Sequence, residues 1–401
     1  MLKRNPSVIA KRLLPLYCAN FFHGFVFWYA FEKVFIRGIG FNDATIGFMI
    51  AAYSAVMLVA ETPSGILADR WSRKGVLMIA SCALAASSLI GGLSHNVPMY
   101  ICANLLWGVF FAMYSGTYDS IVYDTIYEET GDSKQFDYYG RIKTTYSSAL
   151  VSSSLIGAAI AHYLTFRIGY FMTIPFSLMP IIFLAAFKEP QLHKKAVAIS
   201  IGKQAKVTFS AVTRNKDVAL IVLSLVMIGL LTYITLEFSQ LWYIALAAPL
   251  TFYGVANAAL LTSFGIGGAI AGHFKLYQFP KLMSALGLIV LSSLGLAFMR
   301  NIYVVLGCLV TLTSLLIGLN VVFSRALHDA LSSNIRAGAS SAISTLSRIL
   351  IIPTALFIGY LSNKFSIFNS AWVVVALVLF LTMIIYVEAN KSDRRSLVPK
   401  S

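Results

Sequence analysis

Long apolar runs of similar length recur along the chain, separated by short polar gaps in which lysine and arginine gather. A helix needs about 20 mainly apolar residues to cross the hydrocarbon layer of a bilayer. That ruler predicts twelve spans: 13–36, 43–64, 75–95, 98–126, 144–164 and 168–187, then 217–241, 250–272, 281–299, 301–324, 339–361 and 366–388. A polar, lysine-rich stretch at 188–216 divides six from six. The expectation is an all-α integral membrane protein with an N-terminal six-helix bundle (1–187), a cytoplasmic linker (188–216), a C-terminal bundle (217–390) and a cytoplasmic tail (391–401). Residues 396–401 read as a cloning remnant.

Composition agrees: 58% of residues are hydrophobic and 12% charged, against roughly 25% charged in soluble domains. The four cysteines, Cys18, Cys82, Cys102 and Cys308, all fall inside apolar runs and read as small hydrophobes, with no disulfide framework or metal site. The first span is too long for a cleavable signal peptide.

Charge tests the span map, because Lys and Arg collect in cytoplasmic segments. With the N-terminus inside, Arg37, Arg167, Arg300 and Lys364 fall in outer loops and Lys33 in the first span. All other lysines and arginines, Arg348 among them, are assigned to inner segments, which puts both termini in the cytoplasm. Topology thus accounts for the net charge of +15, and a nucleic-acid partner is not needed.

Gly65, Leu67, Ala68, Asp69, Arg70, Arg73 and Lys74 crowd the gap between the second and third spans, and such charges belong at a membrane surface. This spacing resembles the loop between helices 2 and 3 of the Major Facilitator Superfamily. The resemblance implies two pseudo-symmetric six-helix bundles around a central cavity, with the substrate site near the midplane. It implies that Asp69 meets the positive N-terminal end of helix 11 and nearby arginines as a cytoplasmic gate. Arg70, Arg73 and Lys74 belong to the same gate, Gly65 allows spans 2 and 11 to approach, Glu61 joins the network, and Pro63 bends the end of span 2. The second-half counterpart, residues 268–275, has lost the acid and the arginines. A Ser-Gly-Thr-x-Asp-Ser stretch at 115–120, followed by Tyr123 and Asp124, resembles a bacterial subgroup of the superfamily. Two signatures of its drug/proton antiporters are absent: Asn104 stands where an arginine precedes a glycine (here Gly108), and span 5 lacks a Gly-Pro pair.

Acids inside spans are the leading candidates, since each costs about 3 kcal/mol unless it faces water or a partner. Glu32, on a continuous helix, shares a face with Phe25, Trp28 and Tyr29, which would form an acid on an aromatic wall; a local pair with Lys33 or Arg37, or an interfacial position, is the alternative. Glu237 is its pseudo-symmetric match, with Tyr233 and Gln240 on its face. Asp119 ends a polar stripe with Asn104, Gly108 and Ser115 and is the best candidate for proton coupling or substrate binding. Asp124 points elsewhere and is expected to pair with Arg141 or Lys143. His23 reads as a histidine bonded to a neighbouring helix rather than a relay. Thr313, Asn320 and Ser324 could offer uncharged contacts to a substrate. Small residues cluster in spans 5, 8 and 11, where they let helices approach and shift.

The expectation is a proton-coupled secondary transporter working by alternating access, exporting an amphipathic or cationic compound. Uptake or facilitated diffusion of a metabolite or lipid-like molecule is the alternative. A membrane-embedded enzyme is remote, because no Walker loop, H-E-x-x-H or G-x-S-x-G is present and the six histidines are scattered. Expected partners are a small-molecule substrate, protons and the lipid bilayer, with no cofactor or metal. The protein is expected to act as a monomer in a bacterial inner membrane.

Overall fold

A computed structural model describes residues 6–130, 136–190, 216–273, 275–331 and 333–393. It is all-α. The helices are α1 (Pro6–His23), α2 (Glu32–Gly38), α3 (Asp43–Arg70), α4 (Arg73–Leu93), α5 (Val97–Thr130), α6 (Phe136–Tyr163) and α7 (Phe166–Ala186), then α8 (Lys216–Ala245), α9 (Leu250–His273), α10 (Phe279–Phe298), α11 (Ile302–Ala330), α12 (Ser333–Lys364) and α13 (Ile367–Asp393). Among the described residues, ten helices are long and apolar enough to cross a membrane. The other two crossings are α1 with α2, and α6, whose residues are rich in serine and threonine. Eleven of the twelve expected spans are therefore each a single helix, and the first is helical in two pieces.

Three expectations need correction. The first span is not one helix: α1 stops at His23, a 3-10 turn covers Tyr29–Phe31, and α2 resumes at Glu32. Gly24 and the aromatic run around it are poor helix formers, and tertiary contacts stabilise the break. The Gly24 carbonyl accepts from Ser153 Oγ (3.2 Å), and the Phe27 N–H donates to Thr173 Oγ1 (3.2 Å). Freed backbone groups within a bilayer must find such partners. Second, the charged segment at 65–74 is hardly a loop. Helix α3 runs through Pro63 to Arg70 and α4 starts at Arg73, leaving Trp71 and Ser72 as the link. Third, Arg348 is not an inner-loop charge: it lies half-buried in the middle of α12.

The described chain divides into two compact units. The first holds Met1–Phe41, Ala52–Ala196 and Pro249–Ala258; the second holds Asn42–Ala51, Val197–Ala248 and Ala259–Ser401. Each unit takes in a segment distant in the chain from the rest of it: the first turns of α9 join the first unit and the first turns of α3 the second. Most of the expected 188–216 linker lies outside the described residues.

Within the first unit α4 packs on α5 and α7, and α1 packs on α6 and α7. Within the second unit α10 packs on α11 and α13, and α8 on α12 and α13. These four pairings recur in both units, so the halves are structural repeats, although α8 also packs extensively on α11 where its counterpart α1 meets α5 only slightly. Glycines set the closest seams. A Cβ at Gly157 would lie 1.9 Å from the Phe27 carbonyl oxygen, so α6 seats the break in the first span only because that position has no side chain. In the second unit a Cβ at Gly295 would lie 2.4 Å from Cys308 Sγ, where α10 meets α11. Gly157→Ala must push Phe27 aside, and overpacking of this kind costs about 1–3 kcal/mol. A lowered unfolding midpoint of the purified protein in detergent is the expected result, with Gly116→Ala, which meets no neighbour within 4 Å, unchanged as control.

Candidate functional site

The charged segment wires four helices of the first unit together. Ser72 caps α4, accepting from the Gly75 N–H (3.0 Å) and donating to Glu189 Oε2 (2.7 Å). Glu189 Oε1 accepts from the Arg73 N–H (2.6 Å), so a carboxylate sits on the positive start of α4. Lys74 Nζ donates to the Phe187 carbonyl just past α7 (3.1 Å). Arg73 bonds Asp124 of α5 through one nitrogen and Asp69 of α3 through another (3.2 Å). At the same end of the bundle Arg12 of α1 holds Glu128 and Glu129 of α5. Helix α5 has 34 residues, about 50 Å of helix, so this acidic end projects beyond the roughly 30 Å hydrocarbon layer.

The two carboxylates on Arg73 differ in kind. The Asp124 side chain is 7% exposed and that of Asp69 is 69% exposed. Asp124 is thus a buried structural anchor, with Arg73 as its described partner; the Arg141 and Lys143 side chains expected there lie outside the described residues. Asp69 is presented to solvent. Its expected contact, the start of helix 11, falls on side chains 332–337, also outside the described residues. Arg70 is exposed and Glu61 is half-buried, one turn before Gly65. Among the described residues a Cβ at Gly65 would meet nothing within 4 Å. The tight glycine contact lies at the other end of α3, where a Cβ on Gly47 would come within 2.5 Å of the Ala355 carbonyl oxygen and 2.9 Å of Gly359 Cα.

The acids expected inside the spans separate by environment. Glu32 is 3% exposed, and both its oxygens are engaged within the first unit. Oε2 pairs with Lys33, Oε1 accepts from the Tyr100 hydroxyl (2.7 Å), and Tyr100 bonds Tyr170 (2.8 Å). The expected face of Phe25, Trp28, Tyr29 and Glu32 does not form, because the helix is broken between them. Trp28 is buried, stacked on Tyr170 and bonded to Ser88 Oγ (3.1 Å). Phe25 packs on Phe21 and Phe176, and Tyr29 is half-buried near Trp107. His23 is fully buried and bonds Ser81 Oγ (2.8 Å), the helix-bridging role expected of it.

Asp119 and Ser115 are half-buried on α5, on one side of the helix. On another side Tyr114 and Tyr118 bond Asn20 and the Leu16 carbonyl of α1. Asn104 is buried, with its Oδ1 lacking a described partner. In the second unit Tyr233 and Glu237 are half-buried on α8 and Gln240 is buried. Thr313 is fully buried, and its hydroxyl, like that of Thr235, lacks a described partner; Asn320 is exposed and accepts from Ser324 Oγ at 3.4 Å.

A family model described as the Major Facilitator Superfamily matches residues 13–352. The chain belongs to this superfamily. It is similar, at 29% identity over 116 residues, to a protein of Aspergillus terreus (strain NIH 2624 / FGSC A1156) described as an MFS-type transporter. That alignment covers 29% of this chain and only 20% of the fungal protein. The fold is similar to the crystal structure of the nucleoside transporter NupG in a point-mutant form (TM-score 0.78, 13% identity, 94% of this chain and 99% of that one). It is also similar to a bacterial homolog of the human lysosomal transporter Spinster, inward-facing and unoccupied (TM-score 0.76, 12% identity, all of both chains). The protein is thus an integral membrane member of this superfamily.

Sequence reasoning missed Glu189, Arg12, Glu128, Glu129 and the position of Arg348. Glu189 could have been found as the sole acid between 188 and 216, and Arg348 as a cation nine residues inside an expected span. Removing one member of a buried ion pair strands the other and costs about 3–5 kcal/mol, whereas an exposed pair is worth roughly 0–1 kcal/mol. Asp124→Asn should therefore lower thermal stability sharply and Asp69→Asn scarcely at all, as read by unfolding of the two purified variants.

Proposed function

We propose that the protein is a proton-coupled secondary transporter that works by alternating access, with export of an amphipathic or cationic compound as the net reaction. The observation that carries the reading is a reciprocal exchange of helix ends. The first turns of α3, from the first half of the sequence, pack on α12: Gly47 lies against Gly359, and Ser362 donates to Asp43. The first turns of α9, from the second half, pack on α6: a Cβ on Gly254 would lie 2.5 Å from Ala158 Cβ, and Asn257 donates to Ser154 Oγ (2.8 Å). These seams bring glycine, alanine and serine close together, so they can part without unlocking large side chains.

Parting of these seams would alternate with closure of a cytoplasmic gate, for which Asp69, the exposed acid of the charged segment, is the proposed residue. Asp119 and Glu237 are the acids proposed to bind protons or a cationic substrate. Each lies half-buried within a long apolar helix, the setting in which an intramembrane carboxylate marks a transport path. Glu32, with both oxygens engaged, is proposed as structural. Both termini are proposed to be cytoplasmic, the membrane a bacterial inner membrane, and the monomer sufficient.

Two measurements test this. In proteoliposomes, Asp119→Asn is expected to abolish the acceleration of substrate flux by an imposed pH gradient while counterflow persists; identical gradient dependence in wild type and variant would remove Asp119 from the coupling. In a background with exposed Cys82 and Cys102 replaced by serine, Asp43→Cys with Ser362→Cys is expected to form a disulfide that stops transport until reduced. Full transport by the oxidised pair would sink alternating access at this seam.

A further inference from the structure

A groove of about 450 Å³ opens sideways on the first unit, between the start of α4 and the end of α7. Its volume lies within the roughly 300–1,000 Å³ typical of ligand sites. Its walls change character along α4. At the top stand Trp71 and Lys74; below them lie Met78, Ile79 and Cys82 of α4 and Ile181 of α7. Lys74, Met78 and Cys82 are spaced by four, so a single stripe of the helix runs from a cation down into apolar surface. Trp71 is 57% exposed and Ile79 is 39% exposed, so the groove faces the membrane surroundings rather than the core.

The indole is held in place by the backbone beneath it. A Cβ at Gly75 would lie 2.8 Å from the Trp71 ring, which therefore packs closely against the first turn of α4. An indole in this position suits the headgroup level of a bilayer. The charges at the mouth favour an anion. Among the described residues, Lys74 spends one of its three N–H donors on the Phe187 carbonyl and keeps two. Arg70 and Lys188 do not line the groove itself, but both are exposed and are the chain neighbours of Trp71 and of Phe187, whose carbonyl Lys74 holds. The nearby acids are committed elsewhere: Asp69 to Arg73, and Glu189 to Ser72 and the Arg73 N–H.

We propose that this groove seats a phospholipid of net negative charge, its phosphate on Lys74 beside Arg70 and Lys188 and one acyl chain along Met78, Ile79, Cys82 and Ile181. Basic pockets between membrane helices recognise anionic headgroups in this way. The site is separate from the acids proposed for transport, and its test does not depend on them.

The test titrates delipidated, full-length protein in detergent with phosphatidylglycerol and phosphatidylcholine of identical acyl chains, with inorganic phosphate as a third arm. Phosphatidylglycerol is expected to bind about fivefold or more tightly than phosphatidylcholine, the effect of roughly one well-placed cation, and phosphate alone is expected not to bind. Lys74→Gln should erase the preference. Lys188→Gln, at an exposed position that leaves the fold intact, should reduce it. Met78→Trp should weaken both lipids by filling the groove. Equal affinity for the two lipids, binding of free phosphate at the same site, or a preference that survives both lysine variants would overturn the proposal.

Discussion

A hydrocarbon layer offers no hydrogen bonds, so every backbone amide, carbonyl and charge within it must be satisfied by the protein itself. That constraint explains why all the described secondary structure is helical. It also explains the way the first span is broken. The break around Gly24 is stable only because Ser153 and Thr173 take up the freed backbone groups and Gly157 leaves room for Phe27. The same rule governs the side chains, since Glu32 sits at 3% exposure with Lys33 and Tyr100 on its two oxygens.

Helices in lipid gain little from burying apolar surface against one another, so packing depends on close backbone approach and a few interhelical hydrogen bonds. Both units follow this rule and share four helix pairings. Ser153 reaches the Gly24 carbonyl in the first unit, and Ser347 reaches the Val226 carbonyl in the second (3.2 Å each). The repeat is plainer in these contacts than in the residues, because packing needs smallness at a position rather than a given side chain.

The charges sort into two groups by burial. Arg73 with Asp124, Arg12 with Glu129, and Glu32 with Lys33 are paired below the surface and hold helices in register. Asp69 is largely exposed, while Asp119 and Glu237 are half-buried. Buried pairs cost too much to separate during a working cycle. Partly exposed acids carry no such penalty, which is why the proposed coupling and gating roles fall to them.

The span count, the two halves and the charged signature at 65–74 were legible in the sequence, because a bilayer imposes length and hydropathy on each helix separately. Boundaries came within a few residues for most spans, but the break in the first span did not show. Hydropathy is blind to it, since the residues through the break are as apolar as those of a continuous helix. Which acid pairs with which cation was likewise hidden: Asp124 meets Arg73, which is 51 residues away, and Ser72 meets Glu189, which is 117 away. Sequence fixes how far a residue lies along its own helix, whereas side-chain partners depend on how helices rotate and pack, and that is decided only when the bundle closes.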